Sequence, residues 1–180
     1  MNPLPGFLPG VGASLAVGAL LSGRVARALG GPRALAFGLV LFAGIIASAT
    51  LTPHTGGASG AEHPGTCDLS RMGLAPLQDL LRPGDVSGNV LLFVPLGMCV
   101  ALLPRSRSKA ILIAAAVAFP FLIEGTQLLV LVLSRQCETA DIVDNLTGLM
   151  VGLALGGLAR FLFVHPPAHH GPESASTSSR

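Results

Sequence analysis

Residues 34–51 read ALAFGLVLFAGIIASATL, eighteen positions without one ionisable side chain. An apolar run of about 17–25 residues can cross the hydrocarbon of a bilayer as a helix. Four more runs resemble it: 7–23, 87–103 (with GNVLLFVPLGMCVALL as its body), 110–133 and 142–164. The run at 7–23 is short and Gly-rich and reads either as a span or as an interfacial helix; no basic region or A-x-A site marks it as a cleaved signal peptide. Charged residues make up 11% of the 180-residue chain and hydrophobic ones 51%. Mean hydropathy is +0.68. This composition excludes a soluble globule, a disordered chain and a disulfide mini-protein. The expected fold is all-α: a polytopic transmembrane bundle of about five spans, multi-pass in the cell membrane. It forms one domain over 1–164, followed by a low-complexity, disordered tail at 165–180. A net charge of +2 argues against a nucleic-acid partner.

The basic residues set the expected orientation. Arg24, Arg27 and Arg33 lie between spans one and two; Arg105, Arg107 and Lys109 lie between spans three and four; Arg160 ends span five. If they face the cytoplasm, the N-terminus is outside and the tail is cytoplasmic. The outer segments then hold the long loop 52–87 and the short loop around Arg135. In the long loop, Leu74, Leu77, Leu80 and Leu81 have near-helical spacing and predict a short amphipathic helix, packed against the outer ends of the bundle or lying on the outer surface.

Polar residues inside spans carry the functional signal, because an ionisable group there costs a few kcal/mol, roughly, and turns to the bundle interior. Glu124 sits in FPFLIEGTQLLVLVL (119–133), with Gln127 at i+3 and the helix-bending Pro120 at i−4. Counted from Leu133, Glu124 lies about 13 Å below the outer end, beyond the reach of one Arg135 side chain. Span five opens with Asp141, Asp144 and Asn145, followed by Gly148 and Gly152. Asp141, Asn145 and the two glycines fall on one stripe, polar outside and small inside, and small residues admit a close helix neighbour. Span three carries Asp85, Asn89, Phe93 and Gly97 at four-residue intervals, with Pro95 between the last two. DVSGN (85–89) and DIVDN (141–145) share a D-x-x-x-N frame, a two-residue match on which no repeat is built. Together these groups predict a polar pocket between spans three, four and five, open to the outside, with Arg135 at its mouth. Taken singly, Asn89, Asn145 and Gln127 are as readily interhelical hydrogen-bond glue, worth about 0.6 kcal/mol each.

At RQCETADIVDNLTGLMVG (135–152) the chain resembles the VanZ-like family of small bacterial membrane proteins. The matching blocks are Asn89, Phe93, Pro95 and Gly97; Glu124 and Gln127; and Arg135, Asp141, Asn145, Gly148 and Gly152, all within 85–152. Asp144 departs from the pattern, which is apolar there in many relatives. The family takes its name from a member associated with teicoplanin resistance, so the resemblance implies a cell-envelope role without supplying a reaction.

Neither a nucleophile–base set nor a metal-ligand spacing is present, since all five His fall outside the spans. No cofactor or metal is expected. The leading expectation is a non-enzymatic binding protein whose pocket holds a polar lipid head group or an amphiphilic antibiotic, with Arg135 meeting an anionic group and a second copy of the chain as a further candidate partner. The alternatives are an intramembrane acid–base enzyme using Glu124 and Asp141 on an envelope lipid, and a structural assembly protein. Cys99 reads as packing within span three. Cys67 and Cys137 fall in the two outer segments and are expected to form a disulfide, contributing up to about 4 kcal/mol in the chain-entropy picture. The topology is tested with single cysteines at Ser106 and Ser59 in a background lacking the native ones. An impermeant thiol reagent is expected to label Ser59→Cys in intact cells and to leave Ser106→Cys untouched.

Overall fold

A computed structural model describes residues 6–53, 66–133 and 135–164. The expected disordered tail 165–180 and all five histidines lie outside them. Six helices follow in order: α1 (Phe7–Leu29), α2 (Arg33–Thr50), α3 (Leu77–Leu81), α4 (Asp85–Leu102), α5 (Arg107–Leu129) and α6 (Thr139–Val164). Five of them, all but α3, are long and apolar enough to cross a membrane. Two dipeptides, β1 (Cys67–Asp68) and β2 (Cys137–Glu138), pair in parallel.

Two helix pairs, each joined through small residues, make up the bundle. In α1, Gly10, Ser14, Gly18 and Ser22 recur every fourth residue and face α2. There Gly10 lies against Ser48, Gly44 against Ser14, and Gly18 against the Phe37 ring. Helix α1 is therefore a full antiparallel partner of α2, running past the expected boundary at Gly23 to Leu29. Gly30 ends it in the left-handed region at φ 63°, where a side chain would be strained, and donates its N–H to Ala26. In α6, Gly148, Gly152 and Gly156 repeat the four-residue interval against α4. A Cβ on Gly148 would overlap the Val90 carbonyl, one on Gly152 the Val94 carbonyl, and one on Gly156 would stand 2.7 Å from Ala101 Cβ. Gly97 meets α6 from the other side at Leu149, Gly152 and Leu153. Helices α4 and α6 run parallel, so the D-x-x-x-N frames at 85–89 and 141–145 enter the bundle level with each other.

The core fills the space where α2 and α5 meet this pair. Ile46, Phe93, Val100, Leu103, Ile123 and Leu149 are its most deeply buried apolar members. Phe93 stacks obliquely on Phe119, ring centroids 5.9 Å apart. Pro95 and Pro120 sit inside unbroken helices. At the end away from β1 and β2, basic side chains close α4. Lys109 Nζ donates to the carbonyls of Ala101 (2.6 Å) and Leu103 (3.0 Å), and Arg160 donates to those of Leu102 and Leu103. A cation on the last carbonyls of a helix meets both its free acceptors and the negative end of its dipole. Ser106 caps α5 by accepting from the Lys109 N–H.

Two expectations need correction. Of the two readings of the 74–81 leucines, packing against the helix ends fails for three: Leu74, Leu77 and Leu81 are 76%, 69% and 75% exposed, and only Leu80 is half-buried. Between Pro76 and the Arg82-Pro83 pair, α3 has only five residues, too few to form a continuous buried face. Helix α5 stops at Leu129, not at Leu133; residues 131–133 make a 3-10 turn, in a stretch where Val130 and Val132 disfavour further helix.

The glycine contacts of α6 generate a sharp test. Gly148→Ala forces backbone against backbone and is expected to cost about 1–3 kcal/mol or more. It should appear as a large fall in the Tm of the detergent-solubilised protein. Gly157→Ala, which meets nothing within 4 Å, should leave Tm unchanged or slightly raised.

Candidate functional site

At the disulfide end, the chain between α5 and α6 folds down over the helix tops. Cys67 and Cys137 are disulfide-bonded with Cα atoms 4.5 Å apart, in register across β1 and β2. The link ties the long loop to the short one, as the sequence led us to expect. Thr139, first residue of α6, strengthens the tie by donating its hydroxyl to the carbonyls of Asp68 (3.1 Å) and Arg71 (3.0 Å).

This fold-back brings the outer loop to Glu124. The Glu138 N–H donates to Glu124 Oε2 at 2.8 Å, and Glu124 is only 2% exposed. Glu124 stands five residues before the end of α5 at Leu129, about 7 Å along the helix. Its carboxyl faces the start of α6, where unpaired N–H groups and the helix dipole favour an anion. Asp141, half-buried, lies in the first turn of the same helix. Gln127 is buried one turn from Glu124 and donates Nε2 to the Thr50 carbonyl on α2 at 3.0 Å.

Arg135 does not hang free at a pocket mouth. Its Nε donates to the Thr52 carbonyl (3.2 Å) and its Nη2 to that of Ala49 (2.7 Å), so it closes the C-terminus of α2. Burial pulls its pKa down, while the nearby Asp141 and Glu124 carboxyls pull it back up.

The cation that sequence reasoning missed is Arg71. It holds both oxygens of Asp144, at 3.1 Å to Oδ1, and also donates to the carbonyls of Gly73 and Ala140. Asp144 is thereby buried as half of the only ion pair among the described residues. The hydrogen bond that Arg71 donates to Asp144 raises the Arg71 pKa further. A signal for this contact was in the sequence: with Cys67 linked to Cys137, residues just after 67 must come close to the start of span five. Glu138 lies above the same region. Burial pushes its carboxyl up, Asp68 and Asp85 push the same way, and Arg71 opposes them.

The structure thus gathers Glu124, Gln127, Arg135, Asp141, Asp144 and Asn145 at one end of the bundle, under a covalently tied cover. Asn89 is half-buried on α4, level with Asn145. Phe93, Gly97, Gly148 and Gly152 pack α4 against its neighbours beneath them. Two buried oxygens, Gln127 Oε1 and Asn145 Oδ1, meet no donor among the described residues. No group of three or more His, Cys, Asp or Glu side chains among these residues is placed to hold a metal ion.

A family model for VanZ/LLP1 matches residues 37–160, from α2 to the last turns of α6. The chain belongs to the VanZ/LLP1 family. The match contains every polar group just described and begins after α1. No curated protein and no solved structure matches the chain. The site is therefore read from its own geometry, on a VanZ/LLP1 membrane-helix framework.

The Arg71–Asp144 pair offers an asymmetric test. Arg71→Gln leaves a buried carboxyl unpaired and is expected to cost about 2–3 kcal/mol, less than for a wholly buried pair because Arg71 keeps part of its surface exposed. Asp144→Asn strands only the more exposed partner and should cost less. In thermal melts of the oxidised protein the double variant should lose less than the sum of the two.

Proposed function

We propose that this VanZ/LLP1 protein binds the polar head group of an envelope amphiphile at the disulfide end of the bundle, between α4, α5 and α6. The end carrying the disulfide would face the exterior, where such bonds persist. The opposite end, with Arg33, Arg105, Lys109 and Arg160, would face the cytoplasm.

One observation carries the reading. Glu124, Gln127 and Asn145 are each buried within helices long and apolar enough to cross a membrane, where polar groups are costly, and two of their oxygens have no donor among the described residues. Hydrogen-bond glue within the bundle would pair those oxygens with neighbouring helices. A ligand's polar groups would satisfy them, while its apolar part stays in the surrounding hydrocarbon. The ligand class covers envelope lipids and amphiphilic antibiotics, the second being the route by which such a protein would bear on glycopeptide resistance. An acid–base enzyme is the second reading, favoured by two carboxyls, Glu124 and Asp141, near enough to act electrostatically on Arg135; it differs in that the bound lipid would be recovered chemically altered.

Gently solubilised protein is expected to carry a co-purifying amphiphile, identified by native mass spectrometry. Occupancy should fall severalfold in Glu124→Gln and in Asn145→Leu at unchanged Tm. Bare protein from several mild detergents, or equal occupancy in all three forms, would refute the proposal.

A further inference from the structure

The segment between the disulfide and α4 lies beside the helices, not above them. Arg71 bonds to Asp144, five residues into α6 and so about 7 Å along it from Thr139. Leu74 overhangs a groove of about 340 Å³ on the side of α6, lined by Val143, Leu146, Thr147, Met150 and Val151. At the other end of the segment, Leu80 and Leu81 share a second groove with Ser87, Gly88 and Leu91 of α4. Leu91 is 67% exposed and stands six residues, about 9 Å, along α4 from Asp85.

The length of α4 sets the depth of these contacts. Its 18 residues make about 27 Å, no more than the hydrocarbon of a bilayer, so both its ends stand at the boundary and Leu91 lies inside. The glycine seam sets Val90 beside Gly148 in the parallel α6, which puts Asp85 level with Val143. Leu146 and Met150 are then inside the hydrocarbon too. Beside them the segment presents Met72, Leu74, Leu77 and Leu81, each at least 69% exposed. Several of its backbone polar groups are absent or already used. Pro76 and Pro83 have no N–H, the Pro76 carbonyl accepts from Asp79 and Leu80, and the Gly73 carbonyl accepts from Arg71. Such a chain can enter the head-group boundary, although irregular backbone is not tolerated deep in lipid. Tryptophan and tyrosine, the usual anchors at that boundary, are missing from the sequence.

We propose that residues 71–82 form an interfacial collar whose partner is the lipid leaflet at the disulfide end. Met72, Leu74, Leu77 and Leu81 insert among the upper acyl chains, continuous with Leu91 and Met150, while the exposed Gln78 and Arg82 stay among the head groups. A depth of about 7–9 Å is that of an amphipathic segment lying in a membrane surface. Because Arg71 grips Asp144 from within the collar, the bilayer would hold the cover from the side while the disulfide holds it from above. The collar is independent of any ligand at Glu124.

A chain without tryptophan makes the test direct. Full-length protein carrying Leu77→Trp, and separately Leu81→Trp, is reconstituted in phosphatidylcholine vesicles, with Leu91→Trp as the reference inside the hydrocarbon. Lipid brominated near the carboxyl end of its acyl chains is expected to quench both collar variants severalfold, as it does the reference. Lipid brominated near the methyl end should quench them much less, and iodide in the water should leave them bright. Quenching by iodide but by neither brominated lipid would place the segment in water and overturn the proposal. Protection from iodide and from both brominated lipids would mean that protein covers this face, a second copy of the chain where added lipid removes the protection, and would overturn it as well. The unsubstituted protein supplies a parallel measurement, so a misfolded variant cannot leave the question open. A phospholipid with a diazirine near the carboxyl end of one chain should, on irradiation, crosslink to peptides containing Met72, Leu74, Leu77 or Leu81. Labelling confined to the spans would refute the collar.

Discussion

The carbonyl of Val90 lies where a side chain on Gly148 would have to be, and most of the architecture follows from that contact. Helices in a membrane gain little from apolar contact, because lipid tails are as apolar as leucine; close backbone approach is what gives a pair its packing energy. Gly97, Gly148, Gly152 and Gly156 let α4 and α6 approach that closely. The two helices are parallel, so the connection between them must traverse the membrane and return, and α5 is that traverse. The disulfide end therefore collects the starts of α4 and α6 with the end of α5. Glu124, Asp141 and Asn145 meet because a glycine seam fixed the level of the helices that carry them.

The cover over these groups is held in several ways that share residues. The disulfide fixes Cys67 over Cys137, Thr139 fastens the carbonyls of Asp68 and Arg71, and Arg71 grips Asp144. The Glu138 N–H, in the strand partner of β1, reaches down to Glu124. The outer loop is thus coupled mechanically to the buried carboxyl. A shift of β2 would remove Glu124's backbone donor and move Asp144's cation together.

The spans were legible because a run such as 34–51 has few alternatives in water or lipid. The disulfide was legible from compartment and parity, and the residues of the site from the cost of placing Glu124 and Asn145 in hydrocarbon. Their partners were less so. A helix end depends on where packing stops repaying regular structure, and the apolar run through 130–133 carries no stop signal, so the end of α5 at Leu129 is not legible in it. The place of Arg135 in the short loop above the polar groups points to a ligand at the pocket mouth, yet the carbonyls it meets lie at and just beyond the C-terminus of α2, more than eighty residues earlier. Backbone acceptors at a helix terminus leave no mark in composition. The spacing of the leucines at 74–81 fits both a packed face and a helix lying on the outer surface, and the short length of α3 leaves Leu74, Leu77 and Leu81 exposed.

Three basic residues, Lys109, Arg135 and Arg160, close helix C-termini, and they do so at both ends of the bundle. Lys109 and Arg160 close the last carbonyls of α4, Arg135 those of α2, and Arg71 meets a carbonyl of α6 beside Asp144. Each does structural work on a terminus that a longer polar loop would otherwise solvate. Acidic residues at the disulfide end have no such employment: Asp85, Glu138 and Asp141 form no ion pair among the described residues, and the buried amide oxygens stand on the same side of the balance. Bonding to neutral carbonyls leaves the charge of such a cation intact, so Arg135 closes α2 and still acts electrostatically on Asp141 and Glu124. The disulfide end therefore combines acidic groups and unpartnered amide oxygens with an Arg135 whose position is fixed by the closure of α2.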